Sequence, residues 1–120
     1  MLKLMQQNIE LNGLSPQVKA IVLDWGEAVP AEISQPIDIV LAADCVYFEP
    51  AFPLLLSTLQ VLIGPETTCY FCFKKRRRAD MRFMKQARKM FDVREVDDDS
   101  DRETYSKEQI FLCTLRRKMR

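Results

Sequence analysis

The chain has 120 residues, of which 48% are hydrophobic, which is enough for one compact domain with a buried core. Its formal net charge of +1 gives no overall attraction to nucleic acid, and the lack of histidine excludes histidine-based catalysis and most zinc sites. No secretion signal or bilayer-length apolar stretch is visible, so we expect a reducing, cytoplasmic location and no membrane helix.

Helical and strand patterns alternate along the first half of the chain. Apolar residues at helical spacing precede a stop at residues 12–13, which predicts a helix that begins at the first residue. Residues 18–25 alternate and are rich in β-branched side chains, which predicts a strand. Residues 37–43 are almost continuously apolar and end at Asp44, a pattern typical of a strand covered on both faces.

The second half continues the alternation. Residues 54–63 fit a helix, residues 67–73 a strand, and the apolar stripe over residues 81–91 another helix. Residues 91–96 and 110–115 then predict two strands separated by an acidic loop. This order indicates an α/β fold in one domain, whose sheet ends in an antiparallel pair of strands.

Cys69 and Cys72 form a C-x-x-C sequence inside a predicted strand. An offset of three along a strand places the two thiols on opposite faces, an arrangement that a zinc or redox pair cannot use. We therefore favour buried structural cysteines over a metal or redox site.

Two blocks of like charge interrupt the predicted elements. Residues 74–78, with the sequence KKRRR, follow the C-x-x-C strand, and an acidic block occupies residues 97–101. Such blocks are usually solvated loops. The alternative for the basic block is a substrate rim in which Arg76, Arg77 and Arg78 steer an acidic protein surface.

Ligands of open α/β sheets bind beyond the carboxyl ends of the strands, where two candidate sites occur. Trp25 could give a flat apolar wall to a nucleobase beside the flexible Gly26, or could simply close the core. Asp44 follows the most apolar strand, with Tyr47 close behind. A carboxylate there is costly unless it binds something, although it could also cap the following turn.

These motifs carry a family resemblance. The run VLAADCVYFE at residues 40–49, preceded by LDWGE at residues 23–27, resembles the seven-strand, Rossmann-like lysine methyltransferases that modify translation elongation factor 1-alpha and the valosin-containing AAA ATPase. The run KKRRRAD at residues 74–80, followed by FDV at residues 91–93, is most similar to the fungal elongation factor enzymes. The resemblance covers essentially the whole chain.

The resemblance implies a cofactor, a substrate and a set of site residues. The cofactor would be S-adenosylmethionine, and the substrate would be a lysine of a protein partner, elongation factor 1-alpha. The residues implied to contact the cofactor are Trp25, which would line the adenine pocket, and Gly26, Ala42 and Ala43. The residues implied to face the target lysine as the catalytic pair are Asp44 and Tyr47.

One departure from the family pattern concerns the cofactor. These enzymes begin with a strand and a glycine-rich turn for the methionine part of the cofactor, followed by a strand that ends in an acidic residue for the ribose. This chain has three glycines and no G-x-G. In the family order the two absent strands lie between those predicted at residues 18–25 and 37–43. We therefore expect the C-terminal portion of a methyltransferase domain, with poor cofactor binding of its own.

Two rival functions remain open. One is a methyltransferase remnant whose basic segment binds an acidic protein or RNA without catalysis. The other is a small-molecule methyltransferase on the same fold.

Overall fold

A four-stranded sheet forms the centre of the computed structural model, which describes residues 1–46 and 49–118. The strands are β1 (Ile39–Ala43), β2 (Thr68–Lys74), β3 (Phe91–Glu95) and β4 (Ile110–Arg117). Their spatial order is β1-β2-β4-β3, with β1 parallel to β2 and with β4 antiparallel to both of its neighbours. The predicted α/β sheet that ends in an antiparallel pair is confirmed.

In the described residues, four helices accompany the sheet: α1 (Leu2–Leu11), α2 (Phe52–Leu62), α3 (Arg78–Met90) and α4 (Arg102–Lys107). A short 3-10 turn at Glu49–Ala51 leads into α2. Proline in the first turn of α2 suits a helix start, because the missing N–H has no intrahelical partner there. No helix in the described part of the chain is long and apolar enough to cross a membrane.

Both α2 and α3 pack against one face of the sheet. The fully buried Phe83 of α3 lies between Phe52 of α2 and Phe71 of β2, with ring centroids 5.2 and 5.4 Å apart. The same face carries Cys69 and Phe73 of β2, which are also buried. This aromatic cluster fixes the two helices relative to β1 and β2.

The cysteines of β2 follow the strand alternation. Cys69 is fully buried, whereas Cys72 lies on the other face with Tyr70 and is half-buried, as the spacing predicted. Burial raises the pKa of the Cys69 thiol to about 12 and that of the Cys113 thiol, on the neighbouring β4, to about 11. Both thiols therefore stay protonated at neutral pH and serve as small apolar groups of the core.

Two strand predictions were wrong. Residues 18–25 form no strand, because no described strand lies beside them to share a hydrogen-bond ladder. Instead, the Ala20 carbonyl accepts a hydrogen bond from the Gln6 side chain of α1 at 3.0 Å. The prediction that β1 is covered on both faces also fails, since Ile39 and Leu41 are 58% and 79% exposed.

The acidic loop predicted between the last two strands contains the short helix α4, which the sequence analysis missed. Its helical pattern covers only 6 residues, too few for an apolar period to be recognised. The ion pair of Arg102 in α4 with Glu95 of β3, at 2.9 Å, ties this helix to the sheet.

Candidate functional site

The carboxyl ends of β1 and β2 form the edge of the sheet that carries the candidate site. Ala43, the last residue of β1, is aligned with Cys72 of β2, and the next backbone N–H, that of Asp44, donates to the Cys72 carbonyl at 3.2 Å. Since the two strands are parallel, Asp44 and the basic block that begins at Lys74 emerge at the same edge. The structure thus brings together two features that the sequence places 30 residues apart.

Asp44 adopts an unusual backbone conformation at this edge. Its φ angle is +57°, in the left-handed region that favours glycine but that aspartate and asparagine tolerate better than most residues. Such a conformation costs on the order of 1 kcal/mol and is found disproportionately at functional sites. The Asp44 side chain is exposed.

The charge of Asp44 affects two neighbouring thiols. Burial, and then the negative charge of Asp44, raise the pKa of Cys45 and of Cys72. The carboxylate therefore lies close to both thiols and disfavours a thiolate at the edge, which makes either cysteine a poor nucleophile. Tyr47, the predicted partner of Asp44, lies outside the described residues.

The two alanines before Asp44 point to opposite faces of the sheet. The Ala42 side chain is buried in the core beneath α2 and α3, and the Ala43 side chain is exposed on the other face. Of the two, only Ala43 presents its side chain to solvent in this conformation. The cofactor contacts implied for both alanines stay predictions.

The Trp25–Gly26 site is positioned by α2. The Gly26 N–H donates to the Thr58 hydroxyl at 2.8 Å, and a Cβ on Gly26 would lie 2.6 Å from Leu54 Cδ2. With a φ of +85°, this position requires glycine for packing and backbone reasons alone. Trp25 is half-buried against the core cluster, an observation that supports its core-closing alternative. The role of both residues in an adenine pocket stays a prediction.

The basic block, residues 74–78, is not a loose loop. Asp80, on the first turn of α3, is fully buried, and its carboxylate accepts hydrogen bonds from the Arg76 and Arg77 N–H groups at 2.9 and 3.1 Å. The Arg77 guanidinium donates to the same carboxylate at 3.2 Å. The Lys75 N–H donates to the Gln109 carbonyl, just before β4, at 2.8 Å. Backbone hydrogen bonds therefore fix both ends of the block.

Asp80 is a site-forming residue that the sequence analysis missed. It occupies the third position of α3, where an acidic side chain can satisfy otherwise unpaired N–H groups and complement the helix dipole. An acidic residue three positions into a predicted helix is the signal that could have identified it. The predicted helix began later, at residue 81, and so hid this position.

The described residues do not by themselves form a cradle for S-adenosylmethionine. Gly26 is occupied by its contact with α2, Gly13 follows the end of α1, and Gly64 hydrogen-bonds to Thr67 after α2. None of these glycines follows a strand to make a turn at the carboxyl edge, where the cofactor would sit. We therefore derive no step of a reaction through the cofactor.

We predict that Asp80 contributes measurably to stability. In the Asp80→Ala variant, the Arg76 and Arg77 N–H groups would lose their acceptor, which should lower the free energy of unfolding by about 1–3 kcal/mol. Thermal or urea unfolding measures the loss. Asp92→Ala is the matched control, because it removes a carboxylate from the exposed Arg94–Asp92 pair and should cost under about 1 kcal/mol. Equal losses in the two variants would contradict an anchoring role for Asp80.

Comparison with known proteins agrees with the resemblance seen in the sequence. The model of a family described as lysine methyltransferase matches residues 1–90. The protein-lysine N-methyltransferase EFM6 of Saccharomyces cerevisiae is 42% identical, over 98% of this chain and 52% of its own length. The protein N-lysine methyltransferase METTL21A of Danio rerio is 36% identical, over 78% of this chain and 43% of its own. EEF1A lysine methyltransferase 3 of Mus musculus is 43% identical, over 62% of this chain and 32% of its own.

The chain thus spans about half or less of the length of these relatives. The family model nevertheless covers three quarters of the chain, and the yeast relative aligns with nearly all of it. The confirmed α/β sheet, with its terminal antiparallel pair, agrees with this assignment. On these grounds the chain belongs to the lysine methyltransferase family.

Proposed function

We propose that this chain is the C-terminal portion of a cytoplasmic, S-adenosylmethionine-dependent protein-lysine N-methyltransferase that acts on translation elongation factor 1-alpha. The observation that carries the proposal is the exposed, left-handed Asp44 at the carboxyl edge of β1, beside the anchored basic block. The names of the yeast and mouse relatives support lysine methylation, and the mouse name supports this substrate.

Asp44 suits the task of orienting a lysine amine. A free lysine has a pKa of about 10.4, so it must lose a proton before its lone pair can attack. A carboxylate fixed at the strand end can accept a hydrogen bond from the amine and so orient its lone pair. Tyr47 would exclude water from the lysine side chain, which favours the neutral amine.

The cofactor would supply the methyl group, and its binding residues would come from two sources. We propose Trp25, Gly26, Ala42 and Ala43 as the contacts that this chain provides. The turn for the methionine part and the acid for the ribose would be contributed by sequence outside these 120 residues. Among the described residues, β1 is the end strand of the sheet and pairs only with β2, so its other edge offers a place for further strands. The exposed Ile39 and Leu41 leave one face of β1 available as well.

The basic block would form the substrate rim, with different tasks for its arginines. Arg77 is engaged by Asp80, so its charge also holds the block in place. Arg76 and Arg78 are exposed beside it and would attract an acidic surface of the protein substrate. The long-range part of this attraction should weaken with salt, because exposed charges are screened within about 10 Å at 0.1 M salt.

We predict that Asp44→Asn abolishes most of the activity of the full-length enzyme without unfolding it. Asparagine also tolerates the left-handed conformation, so the backbone is preserved while the charge is lost. The kcat for methylation of elongation factor 1-alpha should fall by roughly two orders of magnitude, which corresponds to an increase of about 3 kcal/mol in activation free energy. Methylation kinetics and melting temperature, measured on the same samples, test this expectation.

Asp38→Asn is the matched control, because Asp38 is an exposed carboxylate at the other end of β1. It should retain nearly normal turnover. The Tyr47→Phe variant, measured in parallel, tests whether the phenol hydroxyl contributes to turnover. If Asp44→Asn had near-normal turnover and a lowered melting temperature, Asp44 would be a turn cap and the proposed catalytic role would fail.

We also predict that these 120 residues alone bind S-adenosylmethionine poorly, with no binding detectable at micromolar concentrations. The glycine-rich turn that would hold the methionine part is absent from the sequence, so only part of the contact surface remains. Calorimetric titration of the isolated chain, with the full-length protein as the positive control, measures the affinity. Micromolar binding by the isolated chain would contradict the proposed division of the cofactor site.

A further inference from the structure

The positive charge of this nearly neutral protein is concentrated in one segment. Residues 74–89 hold nine of its 18 lysines and arginines, and only one of its 17 acidic residues, Asp80. Asp80 is fully buried and already accepts hydrogen bonds from Arg76 and Arg77. The exposed surface of this segment is therefore strongly basic, and the part formed by α3 extends well beyond the substrate rim.

Four of these residues, Arg78, Arg82, Lys85 and Lys89, form a stripe along α3 that we call the basic stripe. Their spacings of four, three and four positions keep them within an arc of roughly 60°. All four are exposed, and the opposite side of the helix is the buried face that includes Phe83 and Ala87. The stripe is thus presented outward along about 16 Å of helix.

The basic stripe begins next to the candidate site. Its first residue, Arg78, is both the last residue of the basic block and the first residue of α3. Its second residue, Arg82, donates to the Glu49 carboxylate at 2.8 Å. Glu49 opens the 3-10 turn that follows the Asp44–Tyr47 motif. A partner lying on the stripe would therefore also reach the edge where Asp44 is exposed.

The chemistry of the stripe favours a protein carboxylate surface over single-stranded RNA. Proteins that bind single strands combine positive charge with exposed aromatic rings on which bases stack. The only aromatic side chain of α3, Phe83, is fully buried. The Arg82–Glu49 pair shows that a carboxylate fits against the stripe in this fold.

We propose that the basic stripe is a docking surface for an acidic face of the protein substrate, separate from the residues that contact the target lysine. This inference rests on the proposed function and adds a determinant of substrate choice to it. The stripe positions the substrate and touches no reacting atom, so it should affect substrate capture and not the turnover of bound substrate.

Lys85→Glu/Lys89→Glu in the full-length enzyme is the test variant, because both residues lie outside the rim and outside the Arg82–Glu49 pair. Lys3→Glu/Lys19→Glu is the matched control, with the same change of charge at two exposed positions in the N-terminal part. At low salt, the KM for elongation factor 1-alpha should rise roughly tenfold in the test variant, with kcat unchanged. The rise should shrink at 0.3 M salt, and the control should stay within about twofold of wild type.

Binding of poly-L-glutamate to the full-length protein provides a second readout that requires no methylation. Weakened binding in the test variant alone supports the docking surface. If the test variant has the same poly-L-glutamate binding and the same KM as the control variant, the docking surface is ruled out. Selective loss of binding to a single-stranded RNA, with poly-L-glutamate binding intact, would also overturn it in favour of nucleic acid. Failure of the proposed function would give a different result. The wild-type enzyme would then not methylate elongation factor 1-alpha, while its binding of poly-L-glutamate would still be weakened by the test variant.

Discussion

The parallel pairing of β1 with β2 is the constraint on which the candidate site depends. Because both strands end at the same edge, the register that aligns Ala43 with Cys72 also places Asp44 beside the start of the basic block. The hydrogen bond from the Asp44 N–H to the Cys72 carbonyl continues the ladder by one step, and the left-handed Asp44 then turns the chain away from the sheet. Burial of Phe71 and Phe73 between the sheet and α2 and α3 stabilises this register, since a shift of one residue would expose both rings.

Charge segregation is the second organising feature. A protein with almost no net charge carries a basic surface along α3 and an acidic block before α4. The buried Asp80 holds the basic block in place, because its carboxylate accepts hydrogen bonds from the backbone N–H groups of the block. The side chains of Arg76 and Arg78 remain exposed to solvent. A charge that is usually costly to bury is compensated here by three hydrogen bonds, one of them from a guanidinium group. The same carboxylate thus links the stability of the fold to the conformation of the basic block.

Sequence patterns predicted the elements that pack onto the core cluster and misjudged features that depend on contacts a local pattern does not report. The apolar runs of β1 and β2 and the stripes of α2 and α3 gave the right elements, because each finds its packing partner among the described residues. Residues 18–25 have an equally good strand pattern, but a strand needs a neighbouring ladder, which a local pattern does not report. The apolar pattern of β1 likewise predicts burial on two faces, whereas α2 and α3 cover only one. At the candidate site, the positions of Asp44 and of the basic block after two strands could be predicted from the sequence, but the hydrogen bonds of Asp80 depend on three-dimensional contacts and on the true start of α3.

We propose that the complete protein methylates lysine on elongation factor 1-alpha. Mass spectrometry of elongation factor 1-alpha, purified from cells with and without the gene that encodes this chain, tests it most directly. We expect one lysine-containing peptide to lose its methyl groups when the gene is deleted, and to regain them when the wild-type gene, but not the Asp44→Asn gene, is restored. An unchanged methylation pattern of elongation factor 1-alpha in the deletion strain would contradict it.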